Sequence, residues 1–239
     1  MKSIGIIPAR YLSTRLPGKL LMDICGKSMI MRVYERAIRA NLDNVIIATD
    51  DKRIYSHVKS FGADVVMTSS KHMNGTSRVA EVAKKVEVDV IVNIQGDEPL
   101  LDYEELNKLI HIMKTKSYKM STMKVLITSP EDINSPNCVK VLTNIYGEAI
   151  TFSRLPIPYN RTGIVCKYYK HIGIYAYQKD FLEEFINMKP TESELAESLE
   201  QLRVVENGIK IYVCEVDTDS IGVDTMEDLE RVKRIINSE

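Results

Sequence analysis

The chain has 239 residues, of which 44% are hydrophobic and 27% are charged, and its 32 basic and 33 acidic side chains leave a net charge of −1. This balance argues against a protein that holds nucleic acid or an anionic membrane through its overall field, and the chain contains no apolar run of about 18 residues that could span a bilayer. The four cysteines lie far apart and form no CxxC pair, so we interpret them as reduced thiols and expect a cytoplasmic protein.

The first half of the chain alternates short apolar runs with amphipathic segments. The apolar runs predict buried strands, and the segments whose apolar residues recur at helical spacing predict helices. Strands are predicted at 3–8, 44–48, 63–67 and 88–94, and helices at about 28–39, 50–61, 76–86 and 102–114. Strands that alternate with helices through tight connections predict parallel βαβ units.

After Tyr118 this alternation changes. Strand-like runs at 120–127, 138–143 and 149–153 follow one another without long helices between them, which indicates an antiparallel section. The elements predicted after them are a strand at 170–177, helices at about 179–187 and 194–206, a strand at 209–213 and a helix at 225–236. We find no internal repeat and no linker, so the sequence predicts a single domain over residues 1–239.

The loop after the first predicted strand, from Pro8 to Lys19, carries three cations within ten residues, Arg10, Arg15 and Lys19. Doubly wound sheets bind ligands beyond the carboxyl ends of their strands, and arginine and lysine are suited to phosphate oxygens. The loop matches neither the P-loop nor the dinucleotide pattern. A phosphate-binding loop and an ordinary solvated basic turn are equally good interpretations of the composition alone.

Two aspartates lie in loops that precede predicted helices. Asp97 follows the predicted strand at 88–94, and Asp224 precedes the last predicted helix. The place of Asp97 suits Mg²⁺, which takes oxygen ligands and keeps waters and substrate phosphates around it. Asp97 could equally be the cap of the helix that follows it, and Asp224, taken alone, is better interpreted as a helix cap than as a metal ligand.

Eight motifs, in their order and spacing, resemble the 3-deoxy-manno-octulosonate cytidylyltransferase (CMP-Kdo synthetase) family. They are IIPAR at 6–10, STRLPGK at 13–19, ATDD at 48–51, NIQGDEP at 93–99, FSR at 152–154, HIGIY at 171–175, SLEQLR at 198–203 and GVDT at 222–225. The opening loop alone would indicate only the broader sugar-nucleotide transferases, but together the motifs are highly specific. The resemblance covers essentially the whole chain.

The resemblance implies a Rossmann-like nucleotidyltransferase fold of the α/β class: a mainly parallel sheet flanked by helices, with a small antiparallel excursion. It also implies a homodimer that joins CTP to an eight-carbon 2-keto-3-deoxy sugar acid, with Mg²⁺ as cofactor, for lipopolysaccharide or capsule synthesis. The nucleotide-binding residues implied are Pro8, Ala9, Arg10, Ser13, Arg15, Lys19 and Gly75. The sugar-binding residues implied are Arg78, Gln95, Arg154, His171, Tyr175, Glu200 and Gln201. The catalytic residues implied are Arg10, Lys19, Asp97 and Asp224, of which the two aspartates are also the metal ligands.

One departure from the family pattern leaves the sugar open. Ser77 stands where an Asp or Glu is usual, next to Arg78, and a hydroxyl cannot pair with an arginine as a carboxylate does. The substrate could therefore be 3-deoxy-manno-octulosonate, its 8-amino-3,8-dideoxy analogue or another 2-keto-3-deoxy sugar acid. Two of the implied contacts also have ordinary structural interpretations: His171 as a hydrogen-bonded core histidine, and Glu200 as part of an acidic, solvated helix face.

Two other classes of protein remain as alternatives. A glycosyltransferase would consume an activated sugar on a similar sheet and is expected to carry an Asp-x-Asp metal motif, whereas this strand ends in QGDE at 95–98. A non-catalytic nucleotide-binding regulator is expected to have lost the phosphate loop or the metal carboxylates, and both are present.

Overall fold

The computed structural model describes residues 1–13 and 15–238, so Thr14 of the basic loop lies outside the described residues. The chain divides into two compact units, one formed by Met1–Ile110 with Ser220–Glu239 and the other by His111–Asp219. The single domain expected from the sequence stays a prediction.

The elements alternate much as the apolar patterns predict. In chain order they begin with β1 (Ser3–Ala9), β2 (Asp23–Ile24), β3 (Lys27–Ser28), α1 (Met29–Ala37), β4 (Asn44–Thr49), α2 (Lys52–Ser60), β5 (Asp64–Met67), α3 (Gly75–Ala83), β6 (Val90–Asn93) and α4 (Tyr103–Thr115). They continue with β7 (Met120–Leu126), α5 (Pro130–Asn134), β8 (Lys140–Thr143), β9 (Ala149–Ser153), β10 (Tyr169–Gln178), α6 (Lys179–Asn187), α7 (Glu192–Glu197), α8 (Gln201–Glu206), β11 (Ile211–Val216) and α9 (Met226–Ser238).

A parallel sheet organises the first unit. β1 pairs in parallel with β6 on one side and with β4 on the other, and β4 pairs in parallel with β5. Ile6, Ile7 and Ile47 are fully buried in these strands, as expected of a parallel sheet covered on both faces. Because all four strands run the same way, the loops that follow β1 and β6 leave the sheet at the same edge, and this edge carries the basic loop and Asp97.

The second unit is built around β7. This strand pairs in parallel with β11 and antiparallel with β10, and β8 pairs antiparallel with both β10 and β9. The pairing of β10 with β7 shifts by two residues, because Ile172 lies opposite Met123 whereas Tyr175 lies opposite Thr122. The α/β class, the mainly parallel sheet and the small antiparallel section expected from the sequence are thus confirmed.

The single helix predicted at 194–206 is wrong, because the structure has two short helices there. Thr191 and Glu194 form a capping box that starts α7 at Glu192. Ser198 then adopts a φ of 53°, in the left-handed region that ends a helix, and α8 begins at Gln201. Apolar periodicity continues through this break, so the pattern does not reveal it. The hairpin of β2 and β3 and the single turn of α5 were also not predicted, since elements this short carry too little periodicity.

Candidate functional site

A main-chain hydrogen bond closes the basic loop just before Lys19. Gly18 donates a main-chain hydrogen bond to the carbonyl of Tyr11 at 2.9 Å, with a φ of 72° that favours glycine. A Cβ at Gly18 would also lie 3.1 Å from the Tyr11 ring, so the turn leaves no room for a side chain. Lys19 follows in a single 3-10 turn, Lys19–Leu21, and its side chain points inward.

The Lys19 ammonium group joins the two aspartates predicted as metal ligands. Its Nζ atom donates to Asp97 Oδ2 at 2.6 Å, to Asp224 Oδ1 at 2.9 Å and to the carbonyl of Val223 at 2.9 Å. Burial by itself would lower the pKa of Lys19, but the charges and hydrogen bonds of Asp97 and Asp224 outweigh it and the pKa is raised. The lysine therefore keeps its positive charge at every pH at which the protein is expected to work.

Two further contacts fix the second aspartate. Arg15 Nη2 donates to Asp224 Oδ2 at 2.8 Å, and the main-chain N–H of Val223 donates to the carbonyl of Asp97 at 2.8 Å. The loop before α9 and the loop after β6 are thereby held side by side. Asp224 thus has an ion pair on each of its two oxygens.

A cavity of about 220 Å³ lies over this group. It is lined by the predicted nucleotide-binding residues and by several others: Pro8, Ala9, Arg10, Ser13, Arg15, Lys19, Leu20, His72, Asn74, Gly75, Arg78, Gln95, Gly96, Asp97 and Asp224. All predicted site residues of the first unit therefore come together. Sequence reasoning missed His72, Asn74, Leu20 and Gly96, and only Asn74 carries a signal, as the cap three residues before Ser77.

His72 is held at the cavity by a carboxylate behind it. Its Nε2 atom lies 2.7 Å from Glu81 Oε2, which also accepts the main-chain N–H of Ser69. The N–H of Ser69, the hydrogen bond from His72 and the nearby Lys85 lower the pKa of Glu81 to about 2. The glutamate therefore remains a carboxylate and fixes the imidazole ring.

Arg78 lines the cavity but is engaged by its own unit. Its Nη1 atom donates to Thr68 Oγ1 at 2.5 Å and its Nη2 atom to Asp50 Oδ2 at 2.9 Å, and the residue is buried. The hydroxyl of Ser77 donates instead to the carbonyl of Asn74 at 3.1 Å. Arg78 thus pairs with the carboxylate of Asp50 and does not need an acidic residue at position 77.

In the second unit, Arg154 is the predicted sugar-binding residue with the most fixed geometry. Its main-chain N–H donates to Glu197 Oε2 at 2.7 Å, its Nε atom to the Glu197 carbonyl at 2.7 Å, and its Nη1 atom to the Pro136 carbonyl at 2.8 Å. Glu197 was not singled out from the sequence, since it belongs to an acidic stretch that is typical of a solvated face.

His171 and Tyr175 pack against each other on β10, with ring centroids 5.4 Å apart. His171 Nε2 lies 3.0 Å from Thr122 Oγ1, whose single proton has the carbonyls of Ile172 and Ile174 as acceptors, so we assign the ring proton to Nε2. Burial lowers the pKa of His171 to about 3 and keeps the ring neutral. The structure thus gives His171 the ordinary role of a hydrogen-bonded core histidine, and its contact with a sugar stays a prediction.

The remaining predicted residues of the second unit lie near this aromatic pair or in α8. Burial, with the negative charge of Glu200, raises the pKa of Tyr175 above its usual range, so the phenol keeps its proton. Gln201 is buried at the start of α8. The negative charge of Glu200 is therefore close enough to Tyr175 to favour the neutral phenol.

Asp97 and Asp224 fit a magnesium ion as a partial ligand set. Their carboxylates both lie within 2.9 Å of the same lysine nitrogen, so they face one point. Mg²⁺ is commonly held by one or two carboxylates, with waters and substrate phosphates as its other ligands. Within residues 1–13 and 15–238, no group of three or more His, Cys, Asp or Glu could hold a metal by itself, so an ion here would need ligands from the substrate.

No helix in the parts of the chain that the structure describes is both long and apolar enough to cross a membrane.

Comparison with known proteins supports one family. The cytidylyltransferase family pattern matches residues 4–211. A 3-deoxy-manno-octulosonate cytidylyltransferase from Fusobacterium nucleatum is 54% identical over 97% of this chain and 96% of its own, and one from Solibacter usitatus is 48% identical over 99% and 95%. A solved structure of a CMP:2-keto-3-deoxy-manno-octonic acid synthetase complexed with CTP superimposes with a TM-score of 0.96 and 42% identity, over 100% of this chain and 99% of that one.

Proposed function

Since this chain belongs to the cytidylyltransferase family, and within it to the 3-deoxy-manno-octulosonate cytidylyltransferases, we propose that it couples CTP to 3-deoxy-manno-octulosonate and releases pyrophosphate. It is a CTP-dependent nucleotidyltransferase, and we propose that its product is an activated sugar for lipopolysaccharide or capsule synthesis. The observation that carries this proposal is the group of Lys19, Asp97 and Asp224 beside the basic loop that follows β1.

The reaction needs positioning and charge more than covalent help from the protein. The anomeric hydroxyl oxygen of the sugar forms a bond to the α-phosphorus of CTP, and the bond from that phosphorus to the oxygen bridging to the β-phosphate breaks, so that pyrophosphate leaves. The hydroxyl proton passes to solvent or to a phosphate oxygen. Both substrates are anions, so cations that neutralise the phosphates lower the barrier.

The first unit supplies those cations. We assign Arg10, Arg15 and Lys19 to the phosphates of CTP, because they follow one another along the loop that lines the cavity. Pro8, Ala9, Ser13 and Gly75 line the same cavity and would lie along the nucleotide. Gly75 is the first residue of α3, and a main-chain N–H at the start of a helix suits a phosphate oxygen.

A magnesium ion would be held by Asp97 and Asp224. When bound, it would supply positive charge beside the phosphates and draw off charge that develops during transfer. Lys19 holds the two carboxylates together and Arg15 holds Asp224, so this chain fixes both ligands before any ion arrives.

The second unit carries groups suited to a sugar acid. Arg154 can offer the Nη2 donors of its guanidinium to the sugar carboxylate, and we assign His171, Tyr175, Glu200 and Gln201 to contacts with its hydroxyl groups. Arg78 and Gln95 line the cavity of the first unit, and the family resemblance assigns them to sugar contacts. In support, these residues match the family motifs, and Arg78, His171 and Arg154 are held by hydrogen bonds to their neighbours.

We also propose a cytoplasmic homodimer. The four cysteines are free thiols, which is typical of a reducing compartment, and the dimer follows from the resemblance to the family. Light scattering on a size-exclusion column should give twice the mass of one chain, and a monomer of full activity would contradict the dimer.

A pyrophosphate-release assay tests the proposed function. CTP, UTP, ATP and GTP are each offered with 3-deoxy-manno-octulosonate, with its 8-amino-3,8-dideoxy analogue and with another 2-keto-3-deoxy sugar acid. We expect the highest kcat/KM with CTP and 3-deoxy-manno-octulosonate, because a purine would press on the backbone near Ala9 and Gly75. A higher kcat/KM with the amino sugar would reassign the substrate. No pyrophosphate with any pair would contradict the proposed function and leave a glycosyltransferase or a nucleotide-binding regulator.

A further inference from the structure

Glu197, the last residue of α7, has both carboxylate oxygens occupied by the segment that carries Arg154. Ser153 Oγ donates to Oε1 at 2.8 Å, and the main-chain N–H of Arg154 donates to Oε2 at 2.7 Å. A solvated glutamate would bond to water at these atoms. Glu197 instead ties the end of β9 to the end of α7.

The break in the helix adds a third contact. Because Ser198 turns into the left-handed region, the helix stops and the carbonyl of Glu197 is not used by a following helical turn. Arg154 Nε donates to this carbonyl at 2.7 Å. One glutamate residue therefore holds both the main chain and the guanidinium of Arg154.

The rest of the Arg154 surroundings completes this hold. Lys140 is fully buried and donates to the carbonyl of Arg154 at 2.6 Å, and Pro136 accepts from Nη1 at 2.8 Å. Among the residues that the structure describes, none accepts a hydrogen bond from Nη2. The guanidinium is thus fixed by Nε and Nη1 and retains its Nη2 donors for a ligand.

We propose that Glu197 is the positioning residue for Arg154, orienting the guanidinium so that Nη2 meets the carboxylate of the sugar acid. This inference rests on the proposed function, in which Arg154 binds that carboxylate. An arginine side chain that its neighbours already hold in the binding orientation loses less conformational entropy when a ligand binds. Glu197 therefore acts on sugar-acid affinity through Arg154 and touches no substrate itself.

Steady-state kinetics of three single variants and one double variant test the inference. Glu197→Ala keeps the main-chain carbonyl that accepts from Nε, but it removes the carboxylate that holds Ser153 Oγ and the main-chain N–H of Arg154. Because the main chain of Arg154 is then released, we expect the KM for the sugar acid to rise about tenfold and the KM for CTP to stay within a factor of about two. Arg154→Ala should raise the sugar KM at least as much, and adding Glu197→Ala to it should cause no further rise, because the two act as one unit. Glu192→Ala, which removes the same charge from an exposed position of α7, should change neither constant.

A conservative variant separates positioning from a general loss of structure. Glu197→Gln can still accept from the Arg154 N–H and donate to Ser153 Oγ, so it should restore most of the sugar affinity. If Glu197→Ala does not fold, Glu197→Asp, which withdraws the carboxylate by one methylene group, should give the same selective rise. An unchanged sugar KM in the folded Glu197 variants, or an equal rise in both KM values, would overturn the inference. If Arg154→Ala itself left the sugar KM unchanged, the assignment of Arg154 in the proposed function would fail instead.

Discussion

The ammonium nitrogen of Lys19 lies 2.6 Å from a carboxylate oxygen of Asp97, although only 10% of the lysine side chain is exposed. A charge removed from water in this way is stable only when it is paired, and here Asp224 supplies a second partner at 2.9 Å. The lysine therefore holds two anions together, and in the function proposed above the same ammonium group would be a cation for the phosphates of CTP.

Replacing this lysine should damage both stability and catalysis. In Lys19→Met the carboxylates of Asp97 and Asp224 lose their common partner, and we expect the free energy of unfolding to fall by roughly 2–3 kcal/mol, less than for a fully buried pair because the aspartates are partly exposed. We also expect kcat/KM to fall at least about 100-fold. Urea denaturation and the pyrophosphate assay measure the two effects. Lys27→Met breaks an exposed ion pair with Glu35 and should change neither quantity much; near-normal turnover in Lys19→Met would contradict the assignment.

The metal proposal predicts an effect of Mg²⁺ concentration. Asp97→Asn and Asp224→Asn should each lower turnover by orders of magnitude and raise the Mg²⁺ concentration needed for half-maximal activity, because each removes one of two anionic ligands. EDTA should abolish the activity of the unchanged protein. Asp64→Asn, at an exposed carboxylate on β5, is the matched control. Turnover that resists EDTA would rule out the assignment of Asp97 and Asp224 as metal ligands.

Ser77 is the third residue of α3, and its structure suggests a stabilising substitution. Asn74 caps this helix and accepts the N–H of Ser77 at 2.9 Å. A glutamate three residues after such a cap can reach back to the cap's own N–H and complete a capping box, so Ser77→Glu should raise the free energy of unfolding by about 0.5–1 kcal/mol.

The same variant decides whether position 77 tunes the sugar. Because Arg78 already pairs with Asp50, we expect Ser77→Glu to leave the ratio of kcat/KM for 3-deoxy-manno-octulosonate and its 8-amino analogue unchanged. Ser77→Gln, which can form the same box without charge, is the control for stability. A changed ratio with Ser77→Glu alone would restore the interpretation that the missing carboxylate shapes the sugar pocket.

His171 should make the protein less stable in mild acid. Its pKa lies near 3 in the folded protein, against an ordinary value of 6.5 in the unfolded chain. Below pH 6.5 the unfolded state therefore binds a proton that the folded state does not, and stability should decrease by about 1.4 kcal/mol for each pH unit. Above pH 6.5 the effect is absent.

Denaturation curves between pH 7.5 and pH 5 can isolate this contribution. The free energy of unfolding should depend less steeply on pH in His171→Gln than in the wild-type protein. The difference between the two slopes should correspond to the binding of about one proton. His111→Gln, which replaces an exposed histidine, is the matched control for the substitution itself. Equal slopes in all three proteins would mean that His171 is not desolvated.

Much of the first unit could be predicted from the sequence because buried parallel strands appear as continuous apolar runs. Continuous apolar runs such as Ser3–Ala9 can be buried only in a sheet covered on both faces, and loops after such strands share one edge. The sequence alone therefore predicts that Arg10 and Asp97 lie at the same edge of the sheet. Their roles came from the family resemblance, and the structure adds that Lys19 joins the two aspartates.

The second unit was harder for a physical reason. The contacts of Glu197 depend on a helix that ends at Ser198, and a serine in the left-handed region has no reliable signature in sequence. The burial of Lys140 could not be predicted either, because a lysine in a strand-like run normally indicates a solvent-facing position. Its ammonium group instead donates to three main-chain carbonyls. Long-range polar contacts of this kind follow from the folded arrangement and not from local periodicity.

The two-residue shift in the pairing of β10 with β7 limits how this strand can change in length. Side chains alternate between the faces of a sheet, so an even offset preserves the facing of every later residue and an odd offset reverses it. Removal of Gly173 alone would turn Tyr175 and Tyr177 to the opposite face, whereas removal of Gly173 and Ile174 together would leave both facing as they do now. Insertions and deletions in this part of β10 should therefore be tolerated only when they add or remove an even number of residues.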